Sequence, residues 1–141
     1  MLNFKLIQAT HFATTTVEFT VNDCLIEVQA VSGGICYNTN CIWINKKALE
    51  CNSAFQRYTK EFNEKNKKDF NYYEMFYNIL DANPKRLSQQ SKMNRIKILN
   101  EIGISDLTID DDLSTIKDFI INEMNKVNRK NGLKPLDIIC L

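Results

Sequence analysis

The hydrophobic and polar positions change rhythm about a third of the way along the chain. In residues 16–21, Val17, Phe19 and Val21 alternate with Thr16, Glu18 and Thr20, the two-residue period of a half-buried strand. Residues 24–31 continue it, with Leu25 and Ile26 leading into Val28, Ala30 and Val31. Asn22 and Asp23 between the runs predict a two-residue hairpin turn. Residues 2–7 read as an earlier strand. Ser32, Gly33 and Gly34 mark the next turn, after which residues 35–37 and 41–44 flank Asn38, Thr39 and Asn40 as a second tight hairpin.

After Asn45 the period becomes helical. Ser53 with Gln56 three residues on has capping-box spacing, and Phe55, Tyr58 and Phe62 then share one face, predicting a helix over 53–65. Asp69 can cap a second helix, whose Tyr73, Phe76, Tyr77 and Leu80 form an apolar stripe. Asn83 and Pro84 are a start signal for a third helix and Gly103 is its stop. Leu87, Met93, Ile96, Leu99 and Ile102 supply the buried side. Asp110, Asp111 and Asp112 suit the positive end of a last helix, faced by Leu113, Ile116, Ile120, Met124 and Val127 and ended by Asn131 and Gly132. Residues 136–141, apolar apart from Asp137, predict a strand that returns to the N-terminal sheet. The fold class expected is α+β: an antiparallel sheet of hairpins with a C-terminal returning strand, packed against four to five helices in one domain.

Composition supports that reading. With 141 residues, 44% of them hydrophobic, and only four Gly and two Pro, the chain can bury a core without disulfides or metal. No run of about 18 apolar residues is present, and the first residues lack the apolar centre of a signal peptide, so a cytoplasmic or otherwise intracellular protein with no membrane contact is expected. The five cysteines, Cys24, Cys36, Cys41, Cys51 and Cys140, are odd in number and form no close C-x-x-C pair. Cys36, Cys41 and Cys51, with Cys24 or His11, could be assembled into four ligands only across long spacings. Reduced, buried thiols with no metal and no cofactor are the simpler reading.

His11 is the sole histidine, so any Cys and His catalytic pair would have to use it. Nothing near it in sequence supports such a pair, and no enzyme is expected. Three consecutive aspartates at a helix start diverge and read as capping. There is no Gly-rich phosphate loop.

Charge changes the picture more. The formal net charge is +1, yet residues 46–99 carry twelve basic and six acidic side chains, between flanks with one against three and five against eight. A basic middle points to a polyanionic partner. In the helix expected over 83–102, Lys85, Arg86, Gln89, Lys92 and Arg95 lie away from the apolar stripe, with Gln90, Asn94 and Lys97 at its edges. These side-chain types hold phosphates and read base edges. Lys46, Lys47, Arg57, Lys60, Lys65, Lys67 and Lys68 add charge upstream.

Trp43, Ile44, Asn45, Lys46 and Lys47, followed by Phe55, Arg57, Tyr58 and Lys60, resemble the KilA-N type of DNA-binding domain of large DNA viruses and phages. That pattern joins a tight hairpin to a Lys-containing helix start and a short helix with an aromatic amid basic residues; the family usually has Trp where this chain has Tyr58. The resemblance covers residues 41–62. It implies a viral or phage regulator that binds DNA, with Lys46, Lys47, Arg57 and Lys60 near the backbone. The excess of Asn, Ile and Lys agrees with an AT-rich viral or phage coding sequence.

Two functions follow as expectations. The first is a small non-enzymatic protein that binds double-stranded DNA or another nucleic acid through its basic helical face. The second is a phage-encoded inhibitor that binds a host defence or transcription protein, as anti-CRISPR-like proteins do, engaging it through the acidic flanks around Asp110, Asp111 and Asp112. A homodimer through Tyr37, Trp43, Tyr72 and Tyr73 is a further expectation.

Overall fold

The computed structural model describes residues 1–13, 15–30, 39–42, 53–70, 72–80 and 86–135. Strands β1 (Phe4–His11), β2 (Thr15–Val21), β3 (Cys24–Ala30) and the short β4 (Thr39–Ile42) form an antiparallel sheet in the order β1-β2-β3-β4. Asn22 and Asp23 have φ of 48° and 64°, the pair of left-handed residues that lets a two-residue turn follow the twist of its strands. Asn22 also fastens the turn. Its backbone N–H donates to Asn3 O at 2.9 Å, its Oδ1 accepts from Asn3 N at 2.8 Å, and its Nδ2 donates to Ser105 O at 3.0 Å.

The alternation read from the sequence is the burial pattern. Thr15, Val17, Phe19 and Val21 on β2 and Cys24, Ile26 and Val28 on β3 are buried, while Thr16, Glu18 and Thr20 face the other way. Helices α1 (Ser53–Asn66), α2 (Tyr72–Leu80), α3 (Gln89–Glu101) and α4 (Ser114–Lys130) complete an α+β arrangement. The long α4 packs on β1 and β2. Phe119 on its inner face stacks on Phe4 at 4.7 Å and tilts against Phe19 at 4.9 Å. Leu113, Ile116, Ile120, Met124 and Val127, the predicted stripe, are all buried.

Next to α4 lies α2, which also meets α1 and β4, and α1 packs in turn on α3. Phe76, Tyr77 and Leu80 of α2 are buried as the aromatic stripe predicts. Tyr58, Phe62 and Phe70 stack in series at 6.3 and 5.8 Å. Asn63 closes the corner after α1 by donating to Phe70 O and accepting from Phe70 N. No described helix is long and apolar enough to cross a membrane.

Several expectations need correction. The first strand, expected over 2–7, spans Phe4–His11 and places His11 opposite Thr15. Thr39 and Asn40, read as turn residues, lie in β4, where Thr39 pairs with Ala30 of β3 and Asn40 falls at a shift of register; sheet-edge pairing overrides the local turn preference. The third helix begins at Gln89, not at Asn83. Ser88 is its N-cap and accepts from Ser91 N at 3.1 Å, while Arg86 and Leu87 lie in the turn before it. Met93, expected in the core, is 51% exposed. The returning strand over 136–141, the first half of the second hairpin, Asn83 and Pro84 lie outside the described residues.

Candidate nucleic-acid interface

The burial of α3 explains why Met93 is out. Its inner side runs through Lys92, Arg95, Ile96, Leu99 and Ile102, with Lys92 and Arg95 half-buried. The helix is turned towards Arg95 because α2 ends beside it. The last carbonyls of a helix have no partner within it, and Arg95 Nη1 donates to two of them, Asn78 O at 2.8 Å and Ile79 O at 3.0 Å. A guanidinium at this end also meets the negative pole of the helix. Arg95 is therefore a structural cap, and at least one of its donors is spent.

The other predicted site residues divide three ways. Lys46, Lys47 and Lys85 lie outside the described residues. Arg57 and Lys60 on α1, Arg86 before α3 and Gln89 in the first turn of α3 are exposed. Lys92 is half-buried and Arg95 is engaged. Gln90 Nε2 donates to Asn94 Oδ1 at 3.0 Å, so two amides suited to reading bases satisfy one another one helical turn apart. Tyr58 Oη is held neutral by burial, which raises its pKa and is countered in part by the charge of Arg95.

Packing of α1 on α3 brings Arg57 to Lys97. Both line a cleft of about 190 Å³ with Tyr58, Asn94, Glu61 and Glu101. On the far side of Lys97, a broader groove of about 780 Å³ runs between α3 and the segment that follows it. Met93, Ile96, Leu107 and Ile109 make its walls. Asn100 fixes its floor by a reciprocal pair, donating to Leu107 O and accepting from Leu107 N, both at 3.2 Å. Hydropathy alone does not reveal this groove, because it depends on the rotation of α3. The misplacement of Met93 is its one trace in the sequence.

The aspartates after α3 have structural partners. Asp111 is buried; its Oδ2 accepts from Thr108 N at 2.8 Å and its Oδ1 lies 3.1 Å from the ammonium of Met1. Burial pushes its pKa up, but the Thr108 N–H and the ammonium more than offset this and hold the carboxyl below its ordinary value. Asp112 Oδ1 accepts from Ser114 N at 3.1 Å and Ser114 Oγ at 2.8 Å at the start of α4. Asp110 and Asp112 are both exposed.

His11 has a partner too. Its Nδ1 is 3.2 Å from Thr15 Oγ1, and the Thr15 hydroxyl donates to Asn128 Oδ1. With its proton committed to Asn128, the Thr15 oxygen accepts from His11 Nδ1–H, which fixes the tautomer and orientation of the ring. Cys24 pairs with Val21 at the opposite end of β2 from Thr15. Six strand residues separate them, about 20 Å, so His11 and Cys24 form no dyad. Burial pushes the Cys24 thiol up, away from the thiolate a nucleophile needs. Among the described residues no three His, Cys, Asp or Glu side chains converge.

No known protein family, characterised protein or solved structure matches the chain.

Proposed function

We propose that this chain is a small, non-enzymatic nucleic-acid-binding protein of viral or phage type, which holds phosphates with basic side chains of α1 and α3. The observation that carries the reading is the side-by-side packing of α1 and α3, with Arg57 and Lys97 on one cleft and Lys60 and Arg86 exposed on the same two-helix unit. Residues 53–69 and 86–101 together hold nine basic and four acidic side chains. Exposed, flexible ammonium and guanidinium groups at this density neutralise phosphates and release counterions. The resemblance of residues 41–62 to KilA-N domains supports the same class of ligand, and Arg57 and Lys60 are the described residues it places near a DNA backbone. Arg95 drops out of the contact set. Glu61 and Glu101 on the cleft favour backbone contact at its rim over insertion.

The test is fluorescence anisotropy of a short labelled DNA duplex titrated with the protein at several salt concentrations. Micromolar or tighter binding that falls steeply with salt, and that weakens in an Arg57→Glu, Lys97→Glu protein, is expected. Absence of binding at low salt refutes the proposal.

The apolar groove favours a second reading, a protein-binding inhibitor. Its acidic cue is weakened, because Asp111 and Asp112 serve the fold. An exposed Met in an apolar channel is instead the adaptable kind of surface that accepts a partner helix. A Met93→Glu protein separates the two: DNA binding survives in the first reading, whereas capture of a protein partner is lost in the second.

A further inference from the structure

The basic unit of α1 and α3 has spent most of the groups that read bases and kept those that hold phosphates. Arg95 is bonded to the end of α2. A bidentate contact to adenine uses the oxygen and the nitrogen of one side-chain amide, and Gln90 Nε2 and Asn94 Oδ1 are joined to each other. Gln89 is exposed, but it lies with Met93 on the wall of the apolar groove, away from the cleft that holds Arg57. That cleft also carries Glu61 and Glu101. Reading a base edge would take both carboxylates between two lines of phosphates; contact at the rim does not. Stacking is spent as well. Single strands are held largely by bases stacked on aromatic rings, whereas Tyr58 stacks on Phe62 and Phe62 on Phe70, and neither α1 nor α3 has an exposed aromatic side chain.

What remains is charge without a partner. Arg57, Lys60, Lys65 and Lys97 are exposed, and among the described residues none of them forms an ion pair. We propose, building on nucleic-acid binding as the function, that the ligand is double-stranded DNA held by its backbone without regard to sequence. Arg57 and Lys65 are eight residues apart on α1, about 12 Å along the helix. Over that length a duplex places about seven charges, so the cations find phosphates at any register along the DNA. A single strand offers fewer charges and releases fewer counterions for each contact.

Selection from a pool of duplexes with a randomised core tests this, followed by fluorescence anisotropy of the recovered duplexes, the starting pool and a single strand of the same length. The recovered duplexes are expected to share no motif and to bind within about threefold of the starting pool, since one good base contact alone discriminates by about fivefold or more. The single strand is expected to bind more weakly, with a salt slope smaller in the ratio of about 0.7 to 0.9. A shared motif bound fivefold or more tightly than the pool overturns the inference and leaves nucleic-acid binding standing. So does a single strand bound as tightly as the duplexes. Failure of every probe to bind at low salt refutes the function and this inference together.

Discussion

At the scale of single residues, two interior polar side chains hold one another. Thr15 and Asn128 are fully buried and joined through the Thr hydroxyl, and Asn128 Nδ2 reaches Lys134 O at 3.3 Å. Thr15→Val keeps the shape and strands the Asn128 carbonyl oxygen, at a cost of about 1–3 kcal/mol. Urea denaturation measures it, and Thr15→Val combined with Asn128→Leu should recover part of the loss, because an orphaned group costs more than a missing pair. Asp111 gives a pH dependence of definite sign. Its folded pKa lies below the ordinary 3.8, so the stabilisation is fully present above that value and is lost as pH falls through the folded one. Asp111→Asn retains an acceptor for Thr108 N and removes the charge. It should lower stability at neutral pH by about 1 kcal/mol, the Met1 ammonium being largely screened by water, and flatten the decline of stability below about pH 4. An unchanged acid limb in Asp111→Asn would show that other carboxylates set it.

At the scale of elements, legibility depends on whether the information is local. The β2 to β3 hairpin was readable because Asn22 and Asp23 accept left-handed backbone and the flanking residues alternate. The stripe of α4 was readable because five apolar residues recur at helical spacing with no competing signal. The third helix was expected from Asn83 with Pro84, whereas α3 begins after Ser88, whose side chain caps it. Its rotation was not legible at all, since it is set by the open carbonyls of α2, an element distant in sequence. Arg95→Met should therefore destabilise the fold by about 1–2 kcal/mol through the lost cap, with hydrogen exchange fastest at the end of α2. The stop after α3 is local again. Gly103 has φ of +118°, and a Cβ there would meet only Cys24 Sγ, at an ordinary 3.7 Å. Gly103→Ala should accordingly cost about 1 kcal/mol or more in backbone strain, with little from crowding. A stability equal to wild type in urea would place the strain elsewhere.

At the scale of the whole molecule, the charge blocks of the sequence become surfaces of different kinds. The basic block folds mainly as α1 to α3, and the acidic residues after it are partly consumed in starting α4. A candidate site could be located to a segment from charge counts, but not resolved into binding and structural residues, because Lys97 and Arg95 look alike in sequence and differ only in what lies opposite them. This bears on how the nucleic-acid proposal is tested. Arg95→Glu is a poor probe, since it puts a carboxylate against the negative end of α2 and loses binding through loss of fold. Lys60→Glu and Lys97→Glu change exposed ammonium groups on α1 and α3 and should leave the urea midpoint nearly unchanged. Each phosphate contact removed lowers the slope of log affinity against log salt by about 0.9 for a duplex. If α1 and α3 share one footprint, each variant should therefore flatten the slope by about one and the pair by about two. A slope altered by Lys60→Glu alone would confine the footprint to α1. Two variants that both keep the wild-type slope would remove α1 and α3 from the interface, and with them the reason for assigning phosphate binding to this face.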